Sequence, residues 1–480
     1  MSSAHPRRWS ALAVIALAQF VVIMDTSIIG VALPEIQAAL GFGAESLSWM
    51  FNAYVVALGG LLLLGGRLSD LFGARRMFMF GWAILAAGSL AAGLAGSVGV
   101  EIAARAAQGI GAAFIAPSAL TLLMMLFGSD PRELMKAFSI YGAAAPAGGT
   151  AGVFLGGVIT EWISWPWVFF INIPLALGVL AVTPRLMPGV PARRGSVDVL
   201  GAVIATAGLA LTVFGVVRAP EEGWQAPATL LSIAAGAALL AGFVAVQAVR
   251  RAPLLRLGIF RAPNLAAANV SQLLLGGAWI PMWFFLNLYL QRVLGFGAFE
   301  GGAALLPMTA MIAVLMVVVA PRLQARVGAK PMVVGGLLVL GSGLFVLSLS
   351  RPDGSFAVDV LPGSLLAATG MALAFIPSLG TAIQSAPPEE GGLASGIVNT
   401  AYQVGSALGL AAMTAVAGSH GADRIGDAAA QTGGYSAAFV GAAGVAVAGA
   451  IVALLTLRSP GPAQPELDAT AADDRQAIAA

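Results

Sequence analysis

Apolar residues run through this chain in long blocks, each closed by a short polar or Gly/Pro-rich stretch. Most blocks are near twenty residues, long enough to cross a bilayer at ~1.5 Å rise per residue. Fourteen blocks predict fourteen helices: 10–33, 47–65, 77–96, 100–127, 135–160, 166–186, 198–217, 228–249, 265–290, 302–320, 332–349, 361–383, 393–416 and 435–457. The first has the position of a secretory leader, but its length, its internal acid and the lack of a small-residue cleavage site read as a retained helix.

Composition makes the setting plain. Apolar residues are 59% of the chain, charged residues only 10%, and mean hydropathy is +0.91. That charged fraction is less than half of what a soluble domain carries, so no hydrated surface can be built from it. The sequence is that of a polytopic, all-α membrane protein. With no Cys, disulfides, thiolate metal sites and Cys nucleophiles are excluded. His5 and His420 both fall outside the apolar blocks, so neither serves as an intramembrane ligand or proton relay. The net charge of +2 carries no nucleic-acid signal, because the basic residues are spent on topology.

Their distribution tests the helix count. Alternate gaps, starting with the N-terminus, hold Arg7 and Arg8; Arg67, Arg75 and Arg76; Arg132 and Lys136; Arg185, Arg193 and Arg194; Arg250, Arg251, Arg256 and Arg261; Arg322, Arg326 and Lys330; and Arg458 and Arg475. The opposite gaps hold Arg218, Arg292, Arg351 and Arg424, and Arg105 alone lies within a block. Basic residues mark the cytoplasmic side, so both termini are expected there.

An internal repeat divides the chain. Gly66-Arg-Leu-Ser-Asp-Leu-Phe-Gly-Ala-Arg-Arg76 follows the second block, and Pro321-Arg-Leu-Gln-Ala-Arg-Val-Gly-Ala-Lys-Pro331 follows the tenth. If each follows the second helix of a six-helix half, the second half begins at the ninth helix and helices seven and eight are inserted. The expected organisation is a first half at 1–188, a connector with two inserted helices at 189–260, a second half at 261–458, and a disordered tail at 459–480.

Two charges stand out. Asp25 is the one acid read as lying well inside a block, and Arg105 the one base. Intramembrane charges are costly and mark proton or ion pathways by default. Asp25 lies ~12 Å from the end of its block at Leu33 and Arg105 ~8 Å from Val100, so the two are expected at similar depth on neighbouring helices. One reading is a proton site in which burial and the Arg105 charge compete. The other is a static bridge that only fixes helix packing.

Five motifs occur in order. They are Asp25-Thr-Ser-Ile-Ile-Gly-Val-Ala-Leu-Pro34, the Gly66–Arg76 turn, Arg105-Ala-Ala-Gln-Gly-Ile-Gly-Ala-Ala113, the glycines Gly148, Gly152, Gly156 and Gly157 after Pro146, and Trp165-Pro-Trp-Val-Phe-Phe-Ile-Asn-Ile-Pro174. Together they resemble the major facilitator superfamily, specifically its fourteen-helix drug:proton antiporter branch of the EmrB/QacA type. The resemblance implies two six-helix halves that alternate access, with two further helices inserted. It implies proton-driven efflux of small lipophilic compounds, such as drugs or antibiotics, from the bacterial cytoplasmic (inner) membrane. No cofactor and no enzymatic step are implied. The partners are protons, the lipophilic substrate and membrane lipid, with no nucleic acid, and the protein is expected as a monomer. Transport of a defined metabolite, or sensing without transport, stands as the alternative.

The resemblance also implies roles. Asp25 and Arg105 would couple the proton. Gly66, Arg67, Asp70, Gly73, Arg75 and Arg76 would form a cytoplasmic gating latch, although Leu71 and Ala74 replace residues that are often basic, and the second copy has Ala325 in place of the acid. The glycine stripe of helix five would form a sliding or rocking interface, with Val153 where the family has proline; ordinary small-residue packing is the other reading. Candidate cavity residues are Gln19, Asn52, Tyr54, Gln108, Gln272, Asn287, Asn399, Tyr402 and Gln403. The aromatic residues Trp279, Trp283, Phe284, Phe285 and Tyr289 either line that cavity or face lipid and the interface.

Overall fold

The computed structural model describes residues 7–43, 46–128, 130–189, 198–250, 253–255, 257–386 and 391–458. Fourteen helices carry the described residues. They are α1 (Arg8–Leu40), α2 (Trp49–Phe72), α3 (Ala74–Gly93), α4 (Val98–Phe127), α5 (Pro131–Trp162), α6 (Trp167–Leu186) and α7 (Val199–Glu222). They continue as α8 (Pro227–Val249), α9 (Leu265–Val293), α10 (Ala298–Val327), α11 (Ala329–Leu347), α12 (Phe356–Ser385), α13 (Gly391–Ser419) and α14 (Ala428–Thr456). Thirteen have an unbroken stretch long and apolar enough to cross a membrane, and α13, at 29 residues, completes the set. This is a multi-pass membrane protein. The tail at 459–480, the basic stretch at 190–197 and the gap at 387–390 lie outside the described residues.

An even number of spans puts both ends of the bundle's chain on one face, called here the terminal face; α1 runs from it to the far face. The pairing of helices repeats with a shift of eight. In the first half α1 packs on α5, α3 on α4 and α6, and α2 on α4; in the second, α9 packs on α13, α11 on α12 and α14. The halves meet through α5 with α10 and α2 with α13, two contacts that exchange under the same shift. Helix α7 fills the groove beside α2 and α13, and α8 packs on α7.

Several boundaries differ from the hydropathy reading. The first helix does not stop near Leu33 but passes Pro34 to Leu40, where Gly41 at φ +74° returns its N–H to Gln37 O and closes the helix. The repeated motif, expected as a short turn, is helical on both sides of a single residue: Gly73 (φ +94°) between α2 and α3, and Gly328 (φ +83°) between α10 and α11. Only glycine adopts that backbone without strain, which explains its presence in both copies.

Among the described residues the hydrogen bonds and ring contacts between the halves lie toward the far face, while apolar contacts such as Leu63 of α2 with Gly396 of α13 continue toward the terminal face. Gln291 Nε2 donates to Val31 O at 2.9 Å, and Phe299 N to Glu161 Oε2 at 3.4 Å. Trp162 stacks on Phe299 with centroids 5.1 Å apart, and Phe51 meets Phe284 edge-on at 5.9 Å. One apolar cluster, from Ile28–Ile36 and Phe51 to Trp279–Leu290, runs across both halves there.

Candidate functional site

Asp25 is fully buried in α1, and Arg105 fully buried in α4. Arg105 Nη1 lies 2.6 Å from Asp25 Oδ2, so the two charges form a bridge sealed from solvent. Asp25 Oδ1 accepts two more bonds, from Asn172 Nδ2 at 2.8 Å and Gln108 Nε2 at 3.1 Å. Gln108, three residues after Arg105 and so on the same helix face, also accepts from Arg105 Nη1 at 2.6 Å. Ser89 Oγ closes the far side of the network, accepting from Gln108 Nε2 at 2.8 Å and Asn172 Nδ2 at 3.3 Å. Arg105 Nε donates to Met50 O at 3.0 Å, and the Tyr54 ring lies over the guanidinium at 4.7 Å.

Five helices, α1, α2, α3, α4 and α6, thus contribute to one network around this carboxylate. Glycines on α3 and in the fourth-helix motif make the approach possible. A side chain at Gly109 would strike the Tyr54 carbonyl of α2, and one at Gly88 would sit 2.9 Å from Gln108 N, so these glycines let α4 sink between α2 and α3. Such a bridge is held by desolvated partners, and removing either one leaves an uncompensated buried charge at a cost of about 3–5 kcal/mol.

The depth argument for the pair needs correction. Asp25 is fifteen residues from the end of α1 and Arg105 seven from the start of α4. The two meet because α1 extends beyond the level at which α4 begins, which apolar run lengths do not reveal. Asp25 is the acid deepest within a helix, but other acids are buried at helix starts. Glu101 in the first turn of α4 is fully buried, and Asp359 in α12 is 6% exposed.

The stripe of helix five packs directly on the acid's own helix. Gly148, Gly152 and Gly156 face the α1 carbonyls of Phe20, Met24 and Ile28, whereas Gly157 turns to Ala298 and Phe299 of α10. Pro146 lies within α5. In the loop motif, Arg75 Nη1 donates to Met187 O at 3.2 Å at the end of α6, within the first half. No ion pair of Arg67, Arg75 or Arg76 reaches the second half among the described residues. Gly66 lies 3.7 Å, from an added Cβ, to Pro117 of α4, and the Asp70 side chain lies outside the described residues.

The cavity candidates scatter. Gln108 belongs to the charge network and Tyr54 to its edge, and Asn52 is buried with no protein partner for its amide. Gln19 accepts from Tyr141 Oη at 2.8 Å. Gln272 donates to Phe375 O and Ser378 Oγ, Asn287 to Trp283 O and Asn399 to Ser395 O. Tyr402 meets Phe375 edge-on at 5.4 Å, and Gln403 packs against Gly59 of α2. Trp279 and Trp283 are buried in the apolar cluster that joins the halves, which overturns the lipid-facing alternative for both. Ser89 carries no distinct signal in the sequence, and Asn172 only its place in the Trp165–Pro174 motif, as an amide two residues before a proline.

Residues 15–410 match the sequence profile of the Major Facilitator Superfamily. The chain is 39% identical to the cephamycin export protein CmcT of Amycolatopsis lactamdurans, over 93% of this chain and 91% of that protein. It is 34% identical to the puromycin resistance protein pur8 of Streptomyces alboniger (95% and 92% covered), and 32% to the lincomycin resistance protein of Streptomyces lincolnensis (85% and 84%). Among solved structures, an auto-inhibited POT family peptide transporter superposes with a TM-score of 0.70 at 16% identity, covering 95% of this chain and 99% of that one. A match of this length, with fourteen helices in two halves related by a shift of eight, means that the chain belongs to the Major Facilitator Superfamily.

Proposed function

We propose that the protein exports small lipophilic compounds of the antibiotic class in exchange for protons, by alternating access between its two halves. The relatives' names support the export reading: they are export and resistance proteins for cephamycin, puromycin and lincomycin. The observation that carries the proton reading is the Asp25–Arg105 bridge. A carboxylate held by a guanidinium and two amides, with no exposure to solvent, is a site whose charge must be neutralised or re-paired whenever the surrounding helices move. The α1–α5 stripe gives such movement a place to start, because side-chain-free contact lets one helix shift along another.

In this reading the terminal face is cytoplasmic, in keeping with the excess of Arg and Lys on that side, and the membrane is the bacterial inner membrane. Far-face closure through Gln291, Glu161 and Phe299 then corresponds to a conformation shut toward the exterior. The chain works as a monomer, without cofactor or catalytic step, and draws its energy from the proton gradient. A susceptibility panel tests the reading: cells expressing the wild-type chain survive cephamycin-, puromycin- or lincomycin-class compounds, and a proton uncoupler or Asp25→Asn removes that protection. Protection that persists with the uncoupler contradicts proton drive.

A further inference from the structure

Glu101 has no role in the network described above, yet it is fully buried and neither of its carboxylate oxygens has a hydrogen-bond partner in the protein. Neither a side-chain cap nor an ion pair accounts for it. It is not a capping residue: Ser97 caps α4, its Oγ accepting from Val100 N, and the reciprocal position of a capping box is Val100. Nor is it in an ion pair among the described residues: Arg105, one turn further along α4, directs Nη1 to Asp25 and Gln108 and Nε to the Met50 carbonyl, and its Nη2 makes no bond to Glu101. An ionised carboxylate without donors in such surroundings is far costlier than the neutral acid. Asp25 is the opposite case, with three donors on its two oxygens.

We infer that Glu101 is a second proton-binding site, loaded in this conformation while Asp25 is ionised against Arg105. The inference rests on the proton-exchange reading above. Four residues separate Glu101 from Arg105, which sets it ~6 Å nearer the far face along α4. It therefore stands between the ion pair and the side from which protons enter in that reading. The charged groups that act on it are Arg105 of α4 and Asp25 of α1. Three more polar groups are buried without hydrogen-bond partners on the packed helices α2 and α4: the Asn52 amide and Tyr54 Oη on α2, and Arg105 Nη2 on α4 itself. The proton moves between Glu101 Oε and an acceptor, leaving carboxylate behind; no bond other than O–H forms or breaks.

Infrared spectroscopy of the full chain in lipid reads this site without any transport measurement. The wild-type protein at neutral pH is expected to show a protonated-carboxyl C=O band that vanishes in Glu101→Gln, persists in Asp25→Asn, and shifts on transfer to D2O. Absence of the band, or a band unaffected by Glu101→Gln, overturns the assignment. A band that neither shifts in D2O nor titrates identifies an inert buried acid and overturns it too. Proton counting in proteoliposomes then separates the two proposals, with puromycin as the probe: Glu101→Gln is expected to move one proton fewer per drug than wild type, whereas Asp25→Asn moves none. Loss of all coupling in wild type would contradict the proposed function and leave the infrared assignment of Glu101 standing.

Discussion

Gly152 of α5 lies against the carbonyl of Met24, the residue before Asp25, and a methyl group added there would stand 2.7 Å from that oxygen. The proposed proton site is thus held on a helix whose backbone touches another helix without intervening side chains. Gly152→Ala is expected to push α1 off α5 at an overpacking cost of about 1–3 kcal/mol. Drug export should fall more than tenfold while the protein still reaches the membrane. A thermal unfolding scan in detergent, run beside the export assay, checks both halves of this expectation.

Asn172 is the donor that ties α6 to Asp25. A hydrogen bond to a charged group contributes about 1.5–3 kcal/mol, so Asn172→Ala should destabilise the folded protein measurably and slow turnover. Ser89→Ala, which removes an acceptor two contacts from the acid, should cost less. Equal losses in the two variants would show that the network does not converge on Asp25.

The buried bridge makes a second ranking. Asp25→Asn alone and Arg105→Gln alone each leave an unpaired buried group, and Arg105→Gln leaves the charge on the acid with only Gln108 and Asn172 for partners. Each single variant should unfold at lower temperature than wild type, whereas the double variant should recover a large part of that stability and none of the proton coupling. Stability measured by intrinsic fluorescence and coupling measured in vesicles separate the two effects.

These predictions rest on residues that differ in how visible they are from sequence. Asp25 and Arg105 are legible because an ionisable side chain in an apolar run has few bland explanations. Ser89 and Asn172 are not, because neutral polar residues occur throughout membrane helices and only their place in one hydrogen-bond network gives them meaning. Glu101 hides for another reason: it falls at the edge of its apolar block, where an acid reads as interfacial, and only the bundle's packing shows it to be sealed. Hydropathy likewise finds the helices but not their ends, since α1 continues through Pro34 and stops where Gly41 supplies a left-handed cap. The repeat at Gly66–Arg76 and Pro321–Pro331 carries the two-half architecture in full view, down to Gly73 and Gly328, whereas the side chains that would latch the halves are not determined by it.

Far-face closure is testable because the chain has no native Cys. An added Cβ on Gly302 of α10 would lie 3.5 Å from Gly157 Cα of α5, within reach of a disulfide. An added Cβ at Gly157 would also stand 2.8 Å from Phe299 Cα and one at Gly302 2.6 Å from Val153 O, so the reduced Gly157→Cys, Gly302→Cys double variant is expected to export more slowly than wild type, and oxidation is expected to arrest the export that remains. Full export by the cross-linked protein would mean that these helices do not separate during the cycle.

The central claim is that Asp25 carries the exchanged proton. It is tested most directly in sealed inverted vesicles containing wild type or Asp25→Asn, with a pH-sensitive dye reporting proton movement on addition of puromycin. Drug-dependent proton movement is predicted in wild-type vesicles and its abolition in Asp25→Asn, with binding of the drug retained. Undiminished drug-coupled proton movement in Asp25→Asn would contradict the account.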